Sequence, residues 1–106
     1  MQISFHSNDS IDSYIHKMNK LLNKEINKEW RVIESVCVDE GEYLLILESN
    51  MQKIMARVLS THAPNPMDIL SPTSRKLYTI NNISKQMLRF INAVELNYNE
   101  WCTLTR

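Results

Sequence analysis

The chain contains one glycine in 106 residues, and the position of that glycine restricts the fold more than any other residue. Gly41 lies in the sequence DEGE, between two segments rich in Val, Ile, Leu and aromatic residues that together run from Trp30 to Glu48. Glycine adopts a positive φ without steric cost because it has no Cβ, and such a φ is typical of a tight turn between antiparallel strands. The sequence therefore predicts a β-hairpin with its turn at Gly41.

The two arms of this predicted hairpin differ in pattern. The second arm, Tyr43 to Leu47, is continuously apolar, which is typical of a central strand that is covered on both faces. The first arm interrupts its apolar alternation at Glu34 and Ser35, which indicates a bulge or an exposed stretch.

Three other segments have the apolar spacing of amphipathic helices. The first is predicted over about residues 10 to 28. The second begins at Ser49, which forms a capping-box signature with Gln52, and ends near His62. The third and most regular runs from about Asn82 to the C-terminal region. Its apolar positions are Ile80, Ile83, Met87, Phe90, Ile91, Val94, Tyr98 and Trp101.

Two shorter features complete the predicted element order. Residues Gln2 to Phe5 alternate apolar and polar side chains, as a short edge strand does. A long connection between Pro64 and Pro72 follows the second predicted helix and is a candidate contact surface. We therefore expect a single domain over residues 1–106, of class α+β. Its small mixed or antiparallel three-stranded sheet would be packed by three helices, in the order β-α-β-β-α-α.

Composition places the chain among cytoplasmic proteins. No apolar run approaches the roughly 20 residues that span a bilayer, and residues 1–10 lack the basic and apolar parts of a secretion signal. Cys37 and Cys102 are too few and too far apart for a disulfide framework, so we expect each to be a reduced, buried apolar residue. Trp30 and Trp101 are expected in the core or at its rim.

The residue types that an enzyme requires do not form any local motif. The histidines His6, His16 and His62 are far apart in sequence, and two isolated cysteines supply no zinc motif. One glycine excludes a P-loop and a dinucleotide-binding fingerprint. We therefore expect no catalytic residue, no metal and no cofactor.

Negative charge is concentrated around the predicted turn. From Glu34 to Glu48 the chain has five carboxylates and no Lys or Arg. Asp39, Glu40 and Glu42 crowd the turn itself, with Tyr43 beside them as a candidate aromatic anchor. One interpretation is a solvated turn, attracted to lysines of the same chain. The other is an acidic protrusion that docks into a basic cleft of a partner protein.

A competing hypothesis comes from four lysines. Lys17, Lys20, Lys24 and Lys28 would follow one face of the first predicted helix and could bind phosphates, with Arg75, Lys76, Lys85 and Arg89 as further contacts. The formal net charge of zero argues against a nucleic-acid-binding domain, and a solvated helix face is the better explanation of the stripe.

We interpret the chain as a non-catalytic protein-binding module. The specific hypothesis is a small inhibitor of the immunity, antitoxin or phage anti-defence type. It would occlude the basic site of a nuclease or another nucleic-acid-handling protein through Asp39, Glu40, Glu42 and Tyr43. The alternative is a nucleic-acid-binding regulator that uses the lysine stripe. A homo-oligomeric structural protein is a third hypothesis, should the third helix expose excess apolar surface.

Overall fold

In the part of the chain that the structure describes, the fold is a closed barrel of six antiparallel strands with two short helices. The computed structural model describes residue 21, residues 23–74 and residues 76–106. Around the barrel the strand order is β1-β2-β3-β6-β5-β4, and pairing of β1 with β4 closes it. The elements, in chain order, are α1 (Asn23–Ile26), β1 (Trp30–Asp39), β2 (Glu42–Ser49), β3 (Gln52–Ser60), β4 (Ile69–Ser74), β5 (Leu77–Ile80), β6 (Ile83–Glu95) and α2 (Tyr98–Thr105).

The predicted α+β class, with its three-stranded sheet and three helices, is wrong. The second predicted helix is strand β3, and most of the third is strand β6. Only α1 lies within the range of the first predicted helix, and it ends at Ile26. The remainder of that helix up to residue 20, and the predicted strand at residues 2–5, lie outside the described residues.

The hairpin around Gly41 is confirmed. Strands β1 and β2 pair antiparallel from Arg31 opposite Glu48 to Asp39 opposite Glu42. The interrupted alternation indicated a bulge or an exposed stretch, and the register shift between Val32 and Glu34 shows a bulge, with Glu34 exposed.

Strand β2 is buried on both faces, which is why its sequence is continuously apolar. Leu45 and Leu47 belong to the barrel interior, whereas Leu44 and Ile46 belong to a second apolar cluster outside it. That second cluster includes Trp101 of α2, so this helix covers the outer face of the sheet.

The Ser49–Gln52 signature marks a hairpin turn rather than a helix start. Ser49 and Gln52 face each other across strands β2 and β3, and the two residues between them, Asn50 and Met51, have φ of 48° and 69°. Both values lie in the left-handed region that two-residue hairpin turns require. The second turn position is usually glycine. Because Met51 occupies it, the sequence lacks the Asn-Gly pair that would have predicted this hairpin.

Strand β6 was mistaken for a helix because a bulge shifts its alternation. Arg57 lies opposite Asn92 and Val58 opposite Phe90, so Ile91 has no partner on β3. Interior side chains are therefore Leu88 and Phe90 before the bulge and Ala93 after it. Two-residue and three-residue steps in one strand imitate the spacing of a helix.

Helix α2 begins with a side-chain capping interaction at Asn97. The Asn97 side chain accepts a hydrogen bond from the Glu100 backbone N–H at 3.2 Å. Trp101 is 4% exposed, and Leu96 and Leu104 pack against the same outer cluster. Within the described residues, neither helix is long and apolar enough to cross a membrane.

The cysteines do not occupy the buried positions that we expected. Both Cys37 and Cys102 are exposed free thiols. Cys37 lies near the end of β1 between the half-buried Val36 and Val38, and Cys102 follows the buried Trp101 on α2. Trp30 and Trp101, by contrast, are buried as predicted, at 1% and 4% exposure.

Candidate protein-binding surface

The acidic turn, Asp39 to Glu42, is compact and tied to the neighbouring strand. Gly41 has φ of 70°, and its carbonyl accepts a hydrogen bond from the Ser60 backbone N–H at 2.9 Å. The Asp39 carboxylate accepts one from the Glu40 backbone N–H at 2.8 Å. Asp39 and Glu40 are exposed, so two carboxylates of the predicted site lie at the surface of an ordered turn.

Glu42 has a partner within the chain. Arg57 Nε on β3 donates to Glu42 Oε2 at 2.5 Å, and the second guanidinium contact completes an ion pair whose side chains are 13% exposed at Glu42 and 11% at Arg57. Burial, and then the nearby Asp39 charge, raise the pKa of Glu42, while burial lowers the pKa of Arg57. The Glu42 charge is therefore largely compensated before any partner arrives.

Tyr43 packs inward. It is partly buried against the interior cluster of the barrel and lies opposite Val58 of β3. A side chain in that position holds the turn onto the barrel, so the described contacts of Tyr43 are structural. Of the four residues predicted to form the site, the structure leaves Asp39 and Glu40 at the surface.

An apolar depression lies beside the acidic turn, and sequence reasoning missed it. It has a volume of about 330 Å³ and is lined by Gly41, Leu59, Leu77, Met87, Leu88 and Arg89, together with Ser60 and Thr61. Leu59, in the lining of this depression, is 43% exposed.

Strand register aligns these residues. Glu42 of β2 lies opposite Leu59 of β3, Leu59 opposite Arg89 of β6, and Arg89 opposite Leu77 of β5. One cross-strand row thus joins the acidic turn, an apolar centre and a cation. In the sequence these residues belong to the predicted hairpin, to two predicted helices and to the segment before the third helix. No pattern of neighbouring residues could therefore have predicted that they lie together.

The lysine stripe is not a single helical face in the part of the chain that the structure describes. Lys17 and Lys20 lie outside the described residues. Lys24 is exposed on α1, but Lys28 follows the end of that helix. Lys28 Nζ donates to Gln52 Oε1 at 2.7 Å and lies 4.9 Å from the centre of the Trp30 ring.

Other sequence candidates occupy separate places. His62 is exposed, and its Nδ1 is 2.9 Å from the Thr61 hydroxyl. Among residues 21, 23–74 and 76–106, no three His, Cys, Asp or Glu side chains are arranged to hold a metal ion. The Pro64–Pro72 connection divides between a loop and strand β4, with Met67 69% exposed and Leu70 buried in the core.

Comparison with known proteins finds similarity at the level of structure. No family model matches the chain, and no curated protein matches it in sequence. The crystal structure of PmrD from E. coli superposes with a TM-score of 0.67 and 28% sequence identity, over 74% of this chain and 99% of that one. The solution NMR structure of PmrD from Klebsiella pneumoniae gives 0.59 and 22% identity, over 71% and 95%. In fold, the chain is similar to PmrD.

Proposed function

We propose that this chain is a non-catalytic regulator that acts by binding another protein. The two similar structures are both PmrD, a small protein-binding regulator that is not an enzyme. This similarity fits the protein-binding module expected from the sequence. It does not fit the immunity, antitoxin or phage anti-defence type, and we abandon that part of the hypothesis.

The contact surface that we propose combines the acidic turn with the apolar depression. Interfaces gain most of their affinity from a small apolar centre that becomes fully desolvated, surrounded by polar residues. Leu59, Leu77 and Met87 supply such a centre, with Asp39 and Glu40 on one side. The single observation that carries the proposal is the cross-strand row of Glu42, Leu59, Arg89 and Leu77, because it places the end of the acidic turn beside the apolar depression.

The partner should present an apolar side chain within a basic surface. Two exposed carboxylates attract cations over about a Debye length, which accelerates association. A nuclease or another nucleic-acid-handling protein is one class of protein with such a surface. Exposed free thiols at Cys37 and Cys102 fit a reducing compartment, so we propose that binding takes place in the cytoplasm.

A capture experiment with matched variants tests this proposal. The wild-type chain and the variant Asp39→Asn/Glu40→Gln are used as baits in lysate of the native host, and retained proteins are identified by mass spectrometry. Asparagine at position 39 keeps the Oδ1 atom, which accepts the hydrogen bond from the backbone N–H of residue 40, so the turn should be unchanged. The control, Glu34→Gln/Glu95→Gln, removes two exposed carboxylates elsewhere on the barrel.

We expect one protein to be retained by the wild type and the control and to be depleted with the acidic-turn variant. With that protein purified, the variant should associate more slowly at low salt, and Leu59→Ala should dissociate faster. Equal retention by all three baits, with unchanged urea unfolding of each, would refute the proposed surface.

The nucleic-acid-binding alternative remains a separate prediction. Titration against duplex DNA at two salt concentrations tests it, because phosphate contacts weaken steeply as salt rises. Binding that disappears in Lys24→Gln/Lys28→Gln would support the alternative, and no binding at low salt would remove it.

A further inference from the structure

We propose that a second cavity, between α1 and the β4–β5 turn, binds a phosphate-class oxyanion. The cavity has a volume of about 230 Å³, which corresponds to roughly eight water molecules at the liquid volume of water. Its lining includes Lys24, Asn27, Ser74 and Lys76, over a floor formed by Ile26 and Tyr78. This cavity is distinct from the apolar depression, with which it shares no lining residue.

The charge of the lining favours an anion. Two lysines contribute to the cavity, and no Asp or Glu is among the lining residues that the structure describes. Two arginines elsewhere on the barrel, by contrast, pair with carboxylates: Arg31 with Glu48 and Arg57 with Glu42. Within the described residues, neither Lys24 nor Lys76 forms an ion pair. The described part of the chain therefore places two ammonium groups, neither in an ion pair with another described residue, at one concave site.

The polar groups of the lining can donate to phosphate oxygens. Thr73 Oγ1 donates to the Leu77 carbonyl at 3.1 Å, so its hydrogen is already used. The Ser74 hydroxyl and the Asn27 amide have no hydrogen-bond partner in the described part of the chain. Two ammonium groups, a hydroxyl and an amide form a donor set that suits a tetrahedral oxyanion, since lysine binds phosphate as a point charge without a planar requirement.

The cavity floor is held in place before any ligand binds. Both the Tyr78 hydroxyl and Trp30 Nε1 donate to the Ile26 carbonyl, the latter at 2.8 Å, so the end of α1 is attached to the barrel. Tyr78 stacks on Phe90 with ring centroids 4.4 Å apart. A preformed site loses less entropy on binding, which makes weak ligands such as phosphate detectable.

The backbone of Lys76 is likewise held. Its φ is 55°, in the left-handed region, and its carbonyl accepts a hydrogen bond from the Phe90 backbone N–H at 2.8 Å. Asparagine or glycine would take this conformation at lower cost. A lysine at this position is explained by the charge that it brings to the cavity.

The test is a titration of the full, isotopically labelled chain with inorganic phosphate at constant ionic strength, followed by NMR. We expect saturable shifts of the backbone amides of Asn27, Ser74 and Lys76 over the millimolar range, and none with chloride alone. Lys24→Gln/Lys76→Gln should weaken binding at least about tenfold. Lys24→Arg/Lys76→Arg should retain it, and Lys85→Gln, which removes an exposed lysine outside the cavity, should have no effect.

A second arm identifies the source of the phosphate. If O-phosphoserine binds more tightly than inorganic phosphate, the site receives a phosphate group carried by another molecule. If inorganic phosphate binds and O-phosphoserine does not, the ligand is free phosphate. Absence of saturable shifts, or equal shifts in Lys24→Gln/Lys76→Gln with its unfolding midpoint unchanged, would overturn the proposal. Neither outcome depends on capture of the protein partner.

Discussion

At the scale of single residues, asparagine takes several of the turn positions at which glycine is usual. Gly41 is the one glycine, and Asn50, Asn81 and Asn82 take positive φ at the β2–β3 and β5–β6 turns. Asparagine tolerates the left-handed region better than other residues with a Cβ. The eleven asparagines of the sequence therefore include positions that hairpin turns require, and Met51 is an exception among them.

Replacing Met51 with glycine should stabilise the fold. Met51 has φ of 69° and is 96% exposed, so the substitution relieves backbone strain and removes almost no packing. We expect the free energy of unfolding to rise by about 0.5–1 kcal/mol, after allowing for the greater freedom of glycine in the unfolded chain. Urea unfolding measures it. Met51→Ala keeps the Cβ and should give no gain, so equal stabilisation by both variants would contradict the strain argument.

Tyr78 should make the fold sensitive to alkaline pH. Burial raises the pKa of Tyr78 to about 12, from 10.0. Above pH 10 the unfolded chain loses this proton while the folded chain retains it, so stability falls as pH rises and levels off above about 12. The loss from Tyr78 should be on the order of 3 kcal/mol.

Tyr78→Phe isolates this effect. The variant loses the hydrogen bond to the Ile26 carbonyl, which should cost about 1 kcal/mol at neutral pH. Its stability should then fall less steeply than that of the wild type between pH 10 and 12, as measured by urea unfolding at each pH. Parallel curves for the two proteins would show that Tyr78 is not the titrating group.

At the scale of elements, the β1–β2 hairpin shows how local and tertiary information combine. Gly41 and the apolar arms were sufficient to predict the turn and its strands, because hairpin pairing is local in sequence. The roles of Glu42 and Tyr43 were not predictable in the same way. They depend on β3, which supplies Arg57 to the first and Val58 to the second.

The Glu42–Arg57 pair should be strongly coupled. Arg57→Met leaves the partly buried Glu42 carboxylate without this partner and should cost about 2 kcal/mol or more. Burial raises the pKa of Glu42 in the folded state, so its charge lowers the free energy of unfolding at neutral pH. This destabilisation should disappear as the pH falls through the folded pKa, where Glu42 becomes protonated. Removing both charges, in Glu42→Gln/Arg57→Met, should therefore cost less than the sum of the single variants. A double-mutant cycle from urea unfolding measures the coupling, and additive effects would refute it.

At the scale of the whole molecule, the chain forms a barrel with one helix laid against its outer face. The interior cluster contains Trp30, Tyr78 and Phe90, and the outer cluster contains Ile46, Met55 and Val94 beneath Trp101. Sheets that are apolar on both faces require cover on both. Helix α2 is therefore part of the fold rather than an appendage.

Trp101→Ala should destabilise the molecule and expose the outer cluster. Truncation of a buried tryptophan should cost about 3–5 kcal/mol. The uncovered Leu44, Ile46 and Met55 should then promote self-association. Urea unfolding and light scattering measure the two effects. Cys102→Ala, at the exposed neighbouring position, should change stability by less than about 0.5 kcal/mol. A stable, monomeric Trp101→Ala would show that α2 is dispensable.

Strand β3 shows why the sequence pattern predicted a helix where the structure has a strand. Met51, Ile54, Met55, Val58 and Leu59 have helical spacing, yet Ile54 and Val58 face the barrel interior, Met55 lies under α2, and Met51 and Leu59 are exposed. The apolar side chains thus serve three environments. Periodicity assumes one buried face, and that assumption does not hold for a strand covered on both sides.

The candidate protein-binding surface likewise contains residues that the sequence predicted and residues that it did not. Asp39 and Glu40 were found from charge density, which is a property of adjacent residues. Leu59, Leu77 and Met87 were missed because strand register brings together positions from β3, β5 and β6.

The amino-acid sequence alone determined the features that depend on neighbouring residues: the glycine turn, its two strands, the bulge in β1 and the exposed acids. The tertiary structure decided which apolar residues face inward, that β3 and β6 are strands, and how the acidic turn meets the apolar depression. The physical reason is that burial and pairing in an antiparallel barrel are set by contacts between distant strands. Those contacts override the local pattern wherever both faces of a strand are covered.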